Sequence, residues 1–318
     1  MSTLARATRR LAPAGGLIAG YALDRLLGDP RRWHPVAGFG QAAGRLEQRL
    51  YADDRPHGVL FTVLTVGAPV AAGAALERAT RRWPLATGVL TAAATWVVLG
   101  GRSLVREADA VADHLGSEDL PAARRQVARL VGRDTTALDA SEVARAGVES
   151  VAENSSDAVV APLLWGAVAG LPGLLGYRAV NTLDAMVGHR SPRYERFGWA
   201  SARLDDLANW VPARVSAGLA TLGAPWVGGS PRDAVDAVRR DAGAHPSPNA
   251  GVVEAAFAGA LGVQLGGRNT YGGEVSDRGT LGDGRPPEGG DIARATRLAT
   301  MVSDAALVVA VAIRLTRA

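Results

Sequence analysis

Two long uncharged stretches constrain the fold more than any other feature of this sequence. Residues 58–76 and residues 83–101 contain no Asp, Glu, Lys or Arg. Each stretch is close to the roughly 20 residues that an α-helix needs to cross a bilayer. The connector between them, "ERATRR", carries three arginines. The pattern predicts a transmembrane helical hairpin, but the flanking loops are also rich in arginine, so the orientation stays open.

Further segments extend this interpretation. Residues 158–177, 215–230 and 298–313 are also largely apolar, and the second of these is the weakest candidate. The first 30 residues start like a signal peptide, with basic residues before an apolar run. Because Asp24 and Arg25 interrupt that run and its periodicity continues, we interpret it as an uncleaved membrane anchor.

These segments predict an all-α, polytopic integral membrane protein with about four to five membrane helices. We expect a single membrane domain over residues 1–318. Within it, polar helical segments at 102–157 and 178–214 carry the candidate site residues, and 231–297 is a polar, Gly-rich segment in which 266–291 should be a loop. A soluble protein with several wholly buried helices is the alternative.

The composition excludes several kinds of chemistry. All 35 basic residues are arginines and there is no cysteine. Lysine Schiff bases, the lysine-containing phosphate loop, thiolate catalysis, disulfides and cysteine-bound zinc are therefore excluded. The net charge of +4 comes without a dense basic tract or many aromatic residues. We expect no nucleic-acid partner.

A stripe of acids precedes the third apolar segment. Asp139 followed by Glu142 predicts a helix N-terminus with a capping box. Further along that helix, carboxylates four residues apart share a face and are suited to a divalent cation. The predicted metal ligands are Glu149, Glu153 and Asp157, with the amide of Asn154 beside them. The alternative is a solvated face paired with Arg145.

Three other clusters are candidates for chemistry. "LDRLLGDPRRWHPV" contains Asp24, Asp29 and His34, although it is also typical of an ordinary helix stop. "NAGVVEAAFAGALGVQLGGRNTYGGE" combines small residues for close helix packing with a Gly-rich sequel in which Arg268 and backbone amides suit a phosphate.

The remaining cluster is rich in Arg, Asp and Asn, the residue types that hold phosphate oxygens and magnesium. Trp199 and Trp210 flank it, either as anchors at the membrane interface or as a platform for a large flat ligand. Its polar members are Arg178, Asn181, Asp184, Arg203, Asp205, Asp206 and Asn209.

Four long segments together resemble the adenosylcobinamide-phosphate synthase family of cobalamin biosynthesis, whose members are called CbiB or CobD. They are "LDRLLGDPRRWHPV", "ESVAENSSDAVVAPLLWG", "YRAVNTLDAMVGHRSPRYERFGWASARLDDLANWVPAR" and "NAGVVEAAFAGALGVQLGG". The resemblance runs from about residue 17 to the final helix. Ser155 and His189 depart from the family pattern, and neither departure removes a carboxylate.

The resemblance implies a multi-pass enzyme of the cell membrane that joins adenosylcobyric acid to aminopropanol phosphate, or to aminopropanol, through an amide. It also implies ATP and Mg²⁺, or another divalent cation. On this reading, Glu149, Glu153 and Asp157, with Asp184 or Asp205 and Asp206, bind the metal and the nucleotide phosphates. Arg178, Arg203 and Arg268 hold phosphates, and His34 accepts a proton.

Two other functions compete with the ligase. A corrinoid or small-molecule transporter would also place polar clusters between membrane helices. A non-catalytic membrane scaffold for other corrinoid enzymes is the third possibility. The ligase also requires a particular geometry: the acids at 149–157 and at 184–206 lie on the same side only if 158–177 turns back on itself. "GLPG" at 170–173 predicts such a re-entrant hairpin.

Overall fold

A computed structural model describes residues 3–30, 34–189, 191–271 and 274–317. Residues 31–33 of the first motif lie outside this range. The chain is an all-α polytopic membrane protein, as predicted, with one small antiparallel sheet. The helices are α1 Thr3–Leu27, α2 Pro35–Leu50, α3 Arg55–Thr80, α4 Pro84–Val98, α5 Gly101–Gly116, α6 Leu120–Val127, α7 Ala140–Ser155, α8 Ala161–Leu183, α9 Trp199–Gly223, α10 Pro231–Asp241, α11 Ala250–Leu261 and α12 Gly289–Thr316.

Shorter elements connect these helices. Two π-helical turns, Ser156–Val160 and Asp184–Gly188, precede and follow α8. Single 3₁₀ turns, Ala224–Val227 and Ala242–Ala244, follow α9 and α10. The strands are β1 Leu265–Tyr271 and β2 Glu274–Leu281.

Two compact units make up the chain. Unit 1 comprises Met1–Gly100, Ala161–Asn209 and Leu307–Ala318, and unit 2 comprises Gly101–Val160 and Trp210–Ala306. The chain therefore passes between the units several times. Polar residues from segments far apart in the sequence meet within each of them.

Four helical segments of the described chain are long and apolar enough to cross a membrane: Arg55–Thr80, Pro84–Gly116, Ala140–Gly188 and Gly289–Thr316. They contain the predicted segments 58–76, 158–177 and 298–313, and the segment 83–101 except for its first residue. On α3, the side chains of Val63 and Leu64 are 61% and 46% exposed. Apolar side chains exposed on such a helix suit contact with lipid.

Two membrane predictions are not met within the described residues. Residues 215–230 do not form an apolar span, because α9 starts 16 residues earlier among charged side chains and ends before Pro225. The predicted anchor, α1, is too rich in charge to qualify as a span. Instead α1 packs tightly on α4 at its glycines, where a Cβ at Gly16 would lie 2.5 Å from the Cβ of Thr91.

The stretch 266–291 that was predicted as a Gly-rich loop is partly a β-hairpin, so that prediction was wrong for residues 266–271 and 274–281. Its Val, Thr and Tyr residues favour strands. A bulge between Gly266 and Arg268 accommodates the glycines, and Gly266 adopts φ +79°. A Cβ at Gly266 would lie 2.1 Å from the carbonyl oxygen of Gly279, so the close approach of the strands also needs glycine.

The predicted reversal of residues 158–177 is present in unit 1. Gly170 has φ +65° and ψ −144°, a conformation that only glycine adopts readily. Beyond it the chain folds back, since a Cβ at Gly166 would lie 2.8 Å from the side chain of Leu174. Residues eight apart in a straight helix are separated by about 12 Å. The two arms of α8 therefore form the hairpin that the re-entrant interpretation requires.

Substitution of Gly170 by Ala is expected to destabilise this hairpin. Alanine would be strained in this backbone conformation. Its Cβ would also lie 2.5 Å from Oε2 of Glu77, which accepts a hydrogen bond from the amide of Leu171. The loss should be about 1–3 kcal/mol in the free energy of unfolding, measured in detergent. Gly218→Ala is the matched control, because Gly218 lies within α9 with no atom near its Cβ position. It should be neutral or stabilising.

Candidate functional site

A chain of hydrogen-bonded side chains joins the second arm of α8 to the start of α9 in unit 1. The hydroxyl of Tyr177 donates to Oδ1 of Asn209 at 2.8 Å, and Nδ2 of Asn209 donates to Oδ2 of Asp205 at 2.9 Å. Asn181 makes a further hydrogen bond to Asp205. Spacings of four residues on each helix place these side chains on facing surfaces. The structure thus brings three predicted site residues together.

Arg178 anchors this network at the other end. Its guanidinium donates to Oδ1 of Asn181 at 3.3 Å and to the backbone carbonyl of Val98 at the end of α4. These hydrogen bonds to neutral oxygen atoms fix the orientation of the guanidinium. Arg178 therefore positions Asn181, which in turn bonds Asp205.

Asp205 is the most perturbed group of the network. Its pKa is raised to about 7, first by burial and then by the negative charge of Asp184, with a smaller effect of Asp206. Hydrogen bonds from Asn209 and Asn181 lower the pKa and only partly offset this rise. The Oδ1 atom is buried and has no hydrogen-bond partner among the residues that the structure describes. This arrangement favours a proton or a bound cation at Asp205.

The raised pKa of Asp205 predicts a pH-dependent stability. Between its ordinary pKa of 3.8 and the folded-state value of about 7, the folded chain binds more protons than the unfolded chain. The free energy of unfolding should then fall as the pH rises through this window. Asp205→Asn should remove the part of this pH dependence that comes from Asp205. Thermal unfolding of both proteins from pH 4 to pH 8, without divalent ions, measures the difference.

The other predicted residues of unit 1 lie in different settings. Arg203 and Asp206 form an ion pair at 3.2 Å, in which the arginine side chain is 63% exposed. Asp24 is fully buried in α1. His34 is the N-cap of α2, where Nδ1 accepts the amide of Val36 at 3.2 Å, and its Nε2 lies 3.9 Å from Asp29. His34 therefore caps the start of α2, and its predicted role as a proton acceptor stays a prediction.

Unit 2 contains a second polar cluster, centred on Glu149 of α7. Oε2 of Glu149 lies 2.9 Å from Nη1 of Arg133, and Oε1 accepts the amide of Gly266 at 2.8 Å. Arg145 lies 3.8 Å from the same carboxylate. The amide of Asn269 also accepts from Arg133. The predicted capping box of Asp139 and Glu142 is present at the start of the helix.

This geometry corrects the predicted metal site at Glu149, Glu153 and Asp157. No three carboxylate or imidazole groups in the described parts of the chain are arranged to hold a metal ion. The charge of Glu149 is already paired with Arg133, and its other oxygen accepts a backbone amide. The π-helical turn Ser156–Val160 places Asp157 outside the regular α-helical spacing on which the prediction depended.

The remaining predicted residues of unit 2 are peripheral to that carboxylate. Nδ2 of Asn154 donates to the carbonyl oxygen of Ser150 at 2.9 Å, one turn earlier in α7. Arg268 is exposed on β1. Its residue partner across the hairpin is Asp277. Neither geometry brings these side chains to Glu149.

Sequence reasoning missed two buried ionisable residues beside this cluster. Glu254 in α11 is 1% exposed and His245 is 6% exposed. Burial raises the pKa of Glu254 well above its ordinary value, and the charges of Glu149 and Glu153 raise it further. Burial and the charge of Arg278 lower the pKa of His245 to about 4. The available signal was a single acid inside the otherwise apolar run "AGVVEAAFAGAL".

Comparison with known proteins now gives the family. The model of the CobD/Cbib protein family matches residues 17–299. The chain belongs to the CobD/Cbib family. Curated proteins named "Cobalamin biosynthesis protein CobD" are similar over nearly the whole chain. The relative from Mycobacterium tuberculosis is 56% identical over 299 residues, which cover 94% of this chain and 95% of the relative.

CobD relatives with lower identity also match over most of the chain. The Geobacter metallireducens protein is 49% identical, over 87% of this chain and 89% of the relative. The Rhodobacter capsulatus protein is 43% identical, over 90% and 92% respectively. No solved structure matches the chain. Membership of the CobD/Cbib family gives this membrane protein a role in cobalamin biosynthesis.

Proposed function

We propose that this chain is an ATP-dependent amide-forming ligase, an adenosylcobinamide-phosphate synthase. It would join adenosylcobyric acid to (R)-1-aminopropan-2-ol phosphate and release adenosylcobinamide phosphate. With free aminopropanol the product would be adenosylcobinamide. The observation that carries the proposal is the family match over residues 17–299. The polar networks of the two units support it, because ionisable groups within helical membrane proteins are costly unless they are used or paired.

The reaction needs an activated carboxylate. A carboxylate at neutral pH is a poor electrophile, so transfer of the γ-phosphoryl group of ATP to the substrate acid would give an acyl phosphate. Attack by the amine then forms the amide and releases phosphate, and the nitrogen loses two protons in total. The chain has no Lys and no Cys, and we assign the groups for this chemistry to Asp, Glu, Asn, His and Arg.

The network around Asp205 fits a magnesium ion better than any other predicted site. Asp205 has a buried Oδ1 without a partner among the described residues, and it feels the charges of Asp184 and Asp206. Mg²⁺ is usually held by one or two carboxylates and completes its coordination with water and substrate phosphates. We therefore assign Asp184 and Asp205 as its protein ligands. The ion would neutralise charge on the phosphates of ATP.

The neighbouring residues have positioning roles in this proposal. Asn209 and Asn181 orient the Asp205 carboxylate through hydrogen bonds, and Tyr177 in turn orients Asn209. Such supporting hydrogen bonds fix a ligand in its productive rotamer. Arg203 extends from an exposed face beside Asp206, where its guanidinium can exchange an ion pair for a phosphate contact.

The proposal also places the protein in the cell membrane as a multi-pass enzyme. Its substrates would be a corrinoid and a small amino alcohol, and other enzymes of the corrinoid pathway are its proposed neighbours. The four apolar helical segments supply the contact with the lipid bilayer.

Membranes that contain this protein provide the test. We expect an amide product, detected by mass spectrometry, only when adenosylcobyric acid, aminopropanol phosphate, ATP and Mg²⁺ are all present. ATP consumption should depend on the amine. Uptake of the corrinoid into sealed vesicles without any amide product would instead support a transporter and contradict the proposal.

A further inference from the structure

Arg133 of unit 2 carries hydrogen-bond donors that no described residue uses. Its side chain is only 3% exposed. The Nη1 atom contacts both Glu149 and Asn269, which fixes the plane of the guanidinium. The Nε and Nη2 atoms are buried and have no acceptor among the described residues. Buried donors without a partner are costly, so their retention indicates an acceptor that comes from outside the chain.

Glu254 presents a similar situation on α11. The helix is built from small apolar residues, and the Glu254 side chain is 2% exposed within it. Its Oε2 atom is buried without a partner among the residues that the structure describes. Its Oε1 atom lies 3.9 Å from Nε2 of His245, beyond hydrogen-bond distance. Burial raises its pKa well above the ordinary value, which favours the protonated carboxyl group, and a protonated carboxyl can donate a hydrogen bond.

The charges around these two groups favour an anion. Arg133, Arg145 and Arg278 supply three positive charges, against two negative charges when Glu149 and Glu153 are both ionised. The excess is therefore one positive charge. His245 adds none, because its pKa is lowered to about 4. The cluster draws on α7, on the segment before it, on α11 and on the β-hairpin.

We propose that this cluster is a binding site for the oxyanion of a small phosphate monoester. The oxygens of the oxyanion would accept hydrogen bonds from Nε and Nη2 of Arg133 and from the carboxyl group of Glu254. Glu149 and Asn269 hold Arg133 in the orientation that presents its free edge. The identity of the natural ligand rests on the proposed function, in which an amino-alcohol phosphate is the amine substrate.

The test is binding of O-phosphoethanolamine to the full chain in lipid nanodiscs. Calorimetry measures this binding in the absence of ATP and corrinoid. We expect saturable binding that also occurs with inorganic phosphate. Glu254→Leu and Arg133→Lys should each weaken it by about tenfold or more, because a charge-assisted hydrogen bond is lost. Arg239→Lys on the exposed surface of α10 is the matched control and should bind like wild type.

Glu254→Gln separates the binding role from a structural one. The amide can still donate, so binding should persist within about threefold at neutral pH. Wild-type binding should weaken as rising pH removes the Glu254 proton, and this dependence should be absent in Glu254→Gln. Thermal unfolding checks that each variant is folded. If Arg133→Lys does not fold, binding by Glu254→Leu alone tests the inference.

The opposite results would overturn the inference. If phosphate monoesters do not bind, or if Glu254→Leu binds as tightly as wild type, buried water satisfies these atoms. The result of the binding test does not depend on whether the chain is a ligase. Phosphate binding without any amide formation contradicts only the proposed function, whereas amide formation without phosphate binding at this cluster contradicts only the inference.

Discussion

Replacement of Asp205 by Asn should lower the rate of amide formation by about 100-fold or more, because loss of a ligand charge should cost more than the roughly 10–100-fold lost with a group that only orients a ligand. The substitution keeps the shape of the side chain and its contact with Asn209. It removes the charge that faces Asp184. The variant should also need more Mg²⁺ for half-maximal rate. A purely structural role for Asp205 would not change that requirement.

The fold of the Asp205→Asn variant should be intact. Burial of the charge and its repulsion by Asp184 raise the pKa of Asp205, and both costs are absent in the variant, so its unfolding temperature at pH 8 without Mg²⁺ should equal or exceed that of wild type. Asp53→Asn is the matched control, because Asp53 is an exposed acid of the same unit. A rate within threefold of wild type for Asp205→Asn would refute the proposed magnesium site.

The second large effect is on stability. Arg133→Met should lower the free energy of unfolding by about 3–5 kcal/mol, because it removes the arginine that lies 2.9 Å from the buried carboxylate of Glu149 and leaves only the longer contact with Arg145, at 3.8 Å. The double variant Arg133→Met/Glu149→Met should lose less than Arg133→Met alone. Denaturant unfolding in detergent measures both. This non-additivity is expected only if the two side chains stabilise each other.

A surface pair provides the comparison for this result. Arg129 lies 3.2 Å from Glu107, but the arginine side chain is 64% exposed. Arg129→Met should therefore cost no more than about 1 kcal/mol. If Arg133→Met costs as little as Arg129→Met, the Glu149 carboxylate is not held by Arg133 in the way described. If Mg²⁺ stabilised the wild type but not Glu149→Gln, the original metal-site interpretation of Glu149 would return.

Features set by short-range sequence patterns were predictable. The capping box at Asp139 depends on residues three positions apart, and the apolar stretches depend only on local composition. The reversal at Gly170 also has a local cause, since the glycine conformation and the following proline turn the chain within "GLPG". The Asn181, Asp205 and Asn209 contacts were partly predictable, because helical spacing placed each set on one face.

Features that depend on distant partners were not predictable. Helical spacing put Glu149 and Glu153 on one face, but it gave no information about Arg133, which precedes the helix, or about Gly266, which follows it by more than 100 residues. The glycine content of this segment predicted a loop. The bulge at Gly266 instead accommodates the glycines and lets the two strands pair. The role of Glu254 required knowledge of the residues that surround α11.

Transfer of oxygen-18 from adenosylcobyric acid is the most direct measurement of the central claim. The purified chain in lipid nanodiscs would receive substrate with a labelled carboxylate, together with aminopropanol phosphate, ATP and Mg²⁺. The account predicts one labelled oxygen in the released inorganic phosphate for each amide formed, since the acyl phosphate bridge oxygen leaves with phosphorus. Amide formation with unlabelled phosphate, or folded protein that forms no amide, would contradict it.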